Sequence, residues 1–260
     1  MSSATIGEVA DLLHAAEQQN RAIPPVVEQL GAGNIEAAYA VQEHNTQRAL
    51  DAGRRLVGRK AGLTSKAVQA QLGVDQPDYG ALFADMAVVN GDVCGLSQLI
   101  QPKVEAEIAF VLGRDLDDPA LGVADMLRAV AFAVPALEIV DSRVADWKIS
   151  IVDTIADNGS SARFVLGNDP RLLSGLSLET VGMVMSRNGE IASVGSGSAC
   201  LGHPLTAAIW LARTMASSGA PLREGDVLLT GALGPMAVAG SGERFEARIS
   251  GFEPVSVTFE

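Results

Sequence analysis

Two cysteines in 260 residues, Cys94 and Cys200, stand alone and far apart, which argues against a disulfide framework or a zinc site. Histidine is equally sparse. His14, His44 and His203 include no i, i+4 pair, and His203 before Pro204 reads as a helix-start residue rather than a ligand. There is no GxSxG elbow, and no Ser/His/Asp order stands out. Gly195-Ser-Gly197 and Gly231-Ala-Leu-Gly234-Pro fit neither a dinucleotide fingerprint nor a P-loop, so they read as loops. Basic residues are few, 19 Lys and Arg against 31 Asp and Glu, and the net charge of −12 argues against nucleic acid or anionic membranes as partners. It does not argue against an anionic substrate, because a metal and a few lysines reverse the field locally. No apolar run reaches membrane-spanning length, and the N-terminus has no basic region leading into an apolar stretch, so a reducing cytoplasm is expected.

What is present is the composition of a folded chain, 48% hydrophobic and 19% charged, long enough to bury a sizeable core. Ile6, Val9, Leu12, Leu13 and Ala16 recur at helical spacing over 5–19. After Pro24-Pro25, Asn34 is a plausible N-cap for a helix over 35–51 that ends near Gly53. From about residue 55 the character changes to short strands and glycine turns. Strands are expected over 55–63 and near 86–89, 104–112, 134–140, 226–231, 243–250 and 253–259. Ser65 can cap a short helix stopping at Gly73, and a polar loop then runs to residue 80. A helix is expected around 122–132 and another from Pro204 to about Ser217. Asn188-Gly189 between two alternating segments is a hairpin signal. These features predict an α+β chain, with a helical N-terminal region over 1–54 and a mostly β body over 55–260 acting as one continuous unit, without regular βαβ alternation.

Glutamate carries the chemistry. Residues 104–110 alternate, so Glu105, Glu107 and Ala109 share one strand face while Val104, Ala106, Ile108 and Phe110 share the other. Two carboxylates at i and i+2 on a half-buried strand repel each other and lose hydration. A divalent cation removes both penalties, and Mg²⁺ and Mn²⁺ prefer oxygen ligands. Glu138 interrupts a second core-like run and would be a third ligand. The competing reading puts Glu105 and Glu107 on the wet face of an antiparallel strand.

Other residues are more ambiguous. In Val-Gly-Arg-Lys-Ala-Gly-Leu, either one of Arg59 and Lys60 points inward or both are strand-edge surface charges; an inward Lys60 would hold an anion or a developing enolate. Asp75 and Asp78 lie in a proline-containing turn, where Asp is usually a turn former, although either can move protons if it faces a substrate. Asn158 and Gly159 look like a helix C-cap, and Ser160 and Ser161 could bind a carboxylate.

These segments together resemble a known family. Residues 57–65, 71–80, 102–109, 135–143, 153–161, 200–204 and 229–236 are similar, in collinear order, to the 2-hydroxypenta-2,4-dienoate (2-keto-4-pentenoate) hydratases of meta-cleavage aromatic degradation, in the fumarylacetoacetate hydrolase superfamily. The resemblance implies a β-rich body, Glu105, Glu107 and Glu138 as ligands of Mg²⁺ or Mn²⁺, Lys60 and Asp78 in the catalytic cavity, and Ser160, with Ser161 beside it, near the substrate carboxylate. It implies a small anionic 2-oxo or 2-hydroxy dienoate as substrate. It also implies a pentamer-based or decameric homo-oligomer, to which the mean hydropathy of +0.23 lends weight, and association with a pathway decarboxylase. Gly159 departs from the Ala that relatives often carry, with little effect expected on the chemistry. Alternatives on the same scaffold are a 4-oxalocrotonate-type decarboxylase and a 2-oxohept-4-ene-1,7-dioate-type hydratase; a non-catalytic metal-dependent binding protein is more distant.

Overall fold

The computed structural model describes residues 3–66, 69–70 and 74–260, so the expected stop of the short helix at Gly73 lies outside the described residues. Three helices come first: α1 (Ser3–Gln18), α2 (Val27–Leu30) and α3 (Ile35–Asp51). Asn34 caps α3 as its position suggests, its side-chain oxygen accepting the Ala37 N–H at 3.3 Å. The chain leaves α3 through Gly53, whose φ of 84° suits glycine.

The body holds two sheets. The larger comprises β1 (Leu56–Gly62), β2 (Asp78–Phe83), β3 (Ala87–Val88), β5 (Lys103–Leu112), β6 (Val130–Val140), β7 (Ser161–Leu166), β10 (Val227–Leu229) and β11 (Ala237–Val238). Its order is β2-β1-β10-β5-β6-β7-β3, with β11 also on β5. The smaller sheet runs β4-β13-β12-β8-β9, from β4 (Val93–Cys94), β8 (Gly182–Arg187), β9 (Glu190–Ser196), β12 (Arg244–Ile249) and β13 (Val255–Phe259). Asn188 and Gly189 join β8 to β9 with φ of 54° and 85°, the paired positive values of a two-residue hairpin. Helices α4 (Val123–Ala129), α5 (Ile151–Ala156) and α6 (Pro204–Ser217) complete the body. His203 is the N-cap of α6, its Nδ1 accepting the Leu205 N–H at 3.0 Å.

Two boundaries differ from the sequence expectation. The helix around 122–132 stops at Ala129, because Val130, Phe132 and Val134 pair with β5 and are drawn into the ladder. The polar loop ends at Pro77 rather than residue 80, since Asp78, Tyr79 and Gly80 pair with β1.

The alternation in β5 decides where the core and the site lie. Val104, Ala106, Ile108 and Phe110 pack into the large core shared with the second sheet and α6. Ala109 belongs to a different cluster, with Ala81 and Phe83 of β2, Val134 and Ala136 of β6, Phe164 of β7 and Leu229 of β10. Residues from both ends of the sheet meet there, so the sheet curls and encloses its second face. The helices α1–α3 form a third cluster, closed by Val152, Ile155 and Ala156 of α5.

Candidate metal centre and active site

Glu105, Glu107 and Ala109 point to the enclosed face of the curled sheet. The β5–β6 register sets Glu138 directly opposite Glu105. Glu107 and Glu138 are fully buried and Glu105 is partly buried, so the wet-face reading is overturned. One carboxylate oxygen from each of the three lies within 4.8 Å of the others. Glu107 Oε2 accepts the Gly231 N–H at 2.8 Å, whereas Glu107 Oε1 and both Glu138 oxygens accept no hydrogen bond from the described residues. Buried carboxylate oxygens without donors are costly unless something positive meets them. Burial, then the neighbouring carboxylates, pushes the Glu105 pKa up to about 7 and that of Glu107 well above the usual range. An all-oxygen donor set with orphaned, mutually repelling carboxylates fits Mg²⁺ or Mn²⁺.

Lys60 supplies a positive charge from within the chain. Its Nζ lies 3.3 Å from Glu138 Oε1, and the side chain is buried. Burial alone would lower its pKa, but Glu138, Asp78, Glu105 and Glu107 outweigh that and hold it above the ordinary lysine value. The strand-edge reading of Arg59 and Lys60 fails because β1 lies inside the sheet, between β2 and β10. Both cations are buried rather than one, on opposite faces. Arg59 turns toward α6, its Nε donating to Met215 Sδ at 3.2 Å.

Asp78 is fully buried at the start of β2, while Asp75 is exposed. Thr154 Oγ1 donates to Asp78 Oδ2 at 3.2 Å, and Oδ1 has no hydrogen-bond partner among the described residues. Desolvation raises its pKa against the opposing pull of Lys60 and Thr154. The β1–β2 ladder explains how both side chains fit, pairing Lys60 with Gly80 and Gly62 with Asp78. Each functional side chain therefore faces a glycine. A Cβ on Gly62 would stand 2.1 Å from Asp78 Oδ1 and 3.1 Å from Lys60 Nζ.

The 158–160 turn covers Lys60. Asn158, Gly159 and Ser160 have φ of 57°, 61° and 52°, and the Asn158 amide bonds both backbone groups of Ala81. A Cβ on Gly159 would lie 2.9 Å from Lys60 Cε, so this departure from the family pattern lies against the lysine. Ser160 Oγ donates to Asp157 Oδ2 at 3.2 Å, and Asp157 pairs with the buried Arg143. Ser161 Oγ is buried without a partner beside a cavity of about 360 Å³ that Gln42, Asn45, Thr46 and Arg143 also line. The structure thus brings Lys60, Asp78, Glu105, Glu107 and Glu138 together. Ser160 ends the turn that touches Lys60, with its hydroxyl on Asp157, and Ser161 faces the helices. Sequence reasoning missed Thr154, Gly62, Gly80 and the Gly231 N–H as parts of the site.

The family model described as fumarylacetoacetate (FAA) hydrolase C-terminal matches residues 55–260. A TodF product hydratase of Pseudomonas putida is 58% identical over 98% of this chain and 95% of its own length. The 2-keto-4-pentenoate hydratase 1 of Dechloromonas aromatica is 56% identical over 96% and 95%. Among solved structures, 4-oxalocrotonate decarboxylase from Pseudomonas putida G7, complexed with magnesium and adipate, superposes with a TM-score of 0.96 at 34% identity, covering 100% of this chain and 99% of that one.

Proposed function

The chain belongs to the fumarylacetoacetate hydrolase family and, within it, to the 2-keto-4-pentenoate hydratases; from that premise we propose how its residues hydrate the substrate. The reaction is metal-dependent addition of water to 2-hydroxypenta-2,4-dienoate, giving 4-hydroxy-2-oxopentanoate in meta-cleavage degradation of aromatic compounds. The observation that carries the site assignment is the buried Glu105, Glu107 and Glu138 cluster, with orphaned oxygens, set against Lys60 and Asp78.

Glu105, Glu107 and Glu138 would hold Mg²⁺ or Mn²⁺. When bound, the ion supplies Lewis acidity toward the substrate's carboxylate and C2 oxygen. The C2 enol hydroxyl gives up its proton as C5 gains one, which leaves a conjugated ketone; water then adds at C4, losing one proton as C3 gains one. Negative charge develops on the C2 oxygen during addition, and the Lys60 ammonium, 3.3 Å from Glu138, is placed to offset it. Asp78 holds or moves a proton through its free Oδ1, while Thr154 fixes Oδ2. Ser160 is assigned to the carboxylate end, supported by its place in the turn that touches Lys60, whereas Ser161 faces the cavity beside the helices instead.

The test is ultraviolet monitoring of enzymatically generated 2-hydroxypentadienoate with added Mg²⁺, together with product identification. Loss of the dienol with formation of 4-hydroxy-2-oxopentanoate is expected. Release of CO₂ from 4-oxalocrotonate with no hydration would reverse the assignment in favour of the decarboxylase.

Residues 1–54 and 55–260 form one functional unit, supported by the way α5, which carries Thr154, closes the core of α1–α3. The chain also works as a homo-oligomer, pentamer-based or decameric, associated with a pathway decarboxylase. The exposed Val184, Ile191 and Val194 on the β8–β9 edge of the smaller sheet support assembly. Light scattering at micromolar concentration should give a mass well above a dimer; a monomeric mass with full activity would refute it. Among the described residues no helix is long and apolar enough to cross a membrane. The unpaired, buried Cys94 and Cys200 suit a cytoplasmic location.

A further inference from the structure

Lys103 opens β5, and strand alternation places it on the face of Glu105 and Glu107. Its ammonium lies 4.1 Å from the centroid of the Trp147 ring and makes no ion pair among the described residues. Glu105 is the carboxylate whose charge it feels. Trp147 is itself held in place, its indole Nε1 donating to the Gln101 carbonyl at 3.0 Å. Asp146 and Trp147 both take left-handed backbone, φ 58° and 55°, a conformation that a bulky aromatic residue adopts only when its surroundings enforce it. The strained segment runs from β6, the source of Glu138, to α5, the source of Thr154. It therefore joins two walls of the site and holds a cation at their edge.

Carboxylates are abundant in a chain of net charge −12, so a partly buried lysine that pairs with none of them calls for an explanation. An aromatic face holds an ammonium without neutralising it, which leaves the charge available to an incoming anion. We propose that Lys103, held by Trp147 on the strand face of Glu105 and Glu107, attracts the anionic substrate to that face and strengthens its ground-state binding, leaving the seated carboxylate to Ser160 and the charge developed during reaction to Lys60. The inference rests on the hydratase reading. The competing role is a staple, in which the Lys103–Trp147 contact only fastens residues 144–150 to the sheet.

Lys103→Met keeps an apolar stem on Trp147 and removes the charge. The expected result is a KM raised by about 5–10-fold with kcat within about twofold, and a kcat/KM that falls less steeply with ionic strength than in the parent chain. Lys103→Arg should recover most of the affinity. A binding measurement without turnover keeps the two readings separable: calorimetric titration of 2-oxopentanoate into Mg²⁺-loaded protein should weaken by a similar factor in Lys103→Met, with Mg²⁺ affinity unchanged or slightly higher. Unchanged KM, salt dependence and 2-oxopentanoate affinity, with only a lowered melting temperature, would establish the staple and overturn the proposal. Failure of the parent chain to hydrate the dienoate would instead remove the hydratase reading, and the 2-oxopentanoate titration would still decide the role of Lys103.

Discussion

Protein stripped of divalent ions by a chelator is expected to lose hydratase activity, and Mg²⁺ or Mn²⁺ to restore it. Glu107→Gln should reproduce the loss at ordinary metal concentrations, because a neutral amide is a poor ligand for a hard cation and Glu107 has no exposure through which water could compensate. Metal affinity should drop by at least about 10²-fold, the upper end of what even changes outside the ligand set cost. The same cluster sets a pH signature. Burial and the neighbouring carboxylates raise Glu105 to about 7 and Glu107 well above its usual range, so the metal-free folded chain binds protons that the unfolded chain has already released. Stability from these two groups is therefore fully present below the ordinary glutamate pKa and is lost as pH rises through their raised values, about 7 for Glu105. Bound metal removes the penalty for ionisation and releases those protons. The melting-temperature gap between Mg²⁺-loaded and chelated protein should therefore widen from pH 5.5 to pH 8, as followed by circular dichroism. A gap that does not vary with pH, or full activity without metal, would show that the three glutamates are not the ligands.

The glutamates were legible because their signal is local. A period of two fixes which face Glu105 and Glu107 share, and Glu138 stands out as a charge inside a run that is otherwise core. The Asn34 cap, the Asn188-Gly189 hairpin and the Pro204 helix start were readable for the same reason, since each depends on neighbours within a few residues. What surrounds the glutamates depends on pairing between distant segments. Nothing local tells Arg59 from Lys60; only the position of β1 between β2 and β10, with α6 on one face, sends the two cations opposite ways. Asp78 reads as a turn former after Gln-Pro, yet pairing with Gly62 makes it the first residue of a strand. Gly62 and Gly80 acquire their roles only in that register. The Gly231 N–H meets Glu107 across 124 positions of sequence, and the Gly231-Ala-Leu-Gly234 segment gave no sign of it beyond looking like a loop. Resemblance to the family placed Lys60 and Asp78 where periodicity alone could not.

Lys60→Met tests whether that lysine works on the reaction or only offsets buried carboxylates. Both roles predict that its loss matters, so the readouts must separate them. Methionine keeps most of the side-chain volume in the space that Gly62 and Gly159 leave open, which limits damage from packing. The ammonium contacts Glu138 and feels Asp78, Glu105 and Glu107, so removing it leaves four carboxylates without their cation in the metal-free state. The metal-free variant should melt lower than the metal-free parent, and Mg²⁺ should close most of that difference. Mg²⁺ affinity should hold or rise slightly, because a like charge beside the ion has gone. If the lysine were only a counter-charge, the metal-loaded variant would then turn over normally. If it offsets charge building on the C2 oxygen, kcat should remain lower by about 10²-fold or more even at saturating metal, comparable to losing one donor from an oxyanion site. Normal kcat in metal-saturated Lys60→Met would return the residue to a purely structural role and leave Asp78 and the metal to carry the reaction.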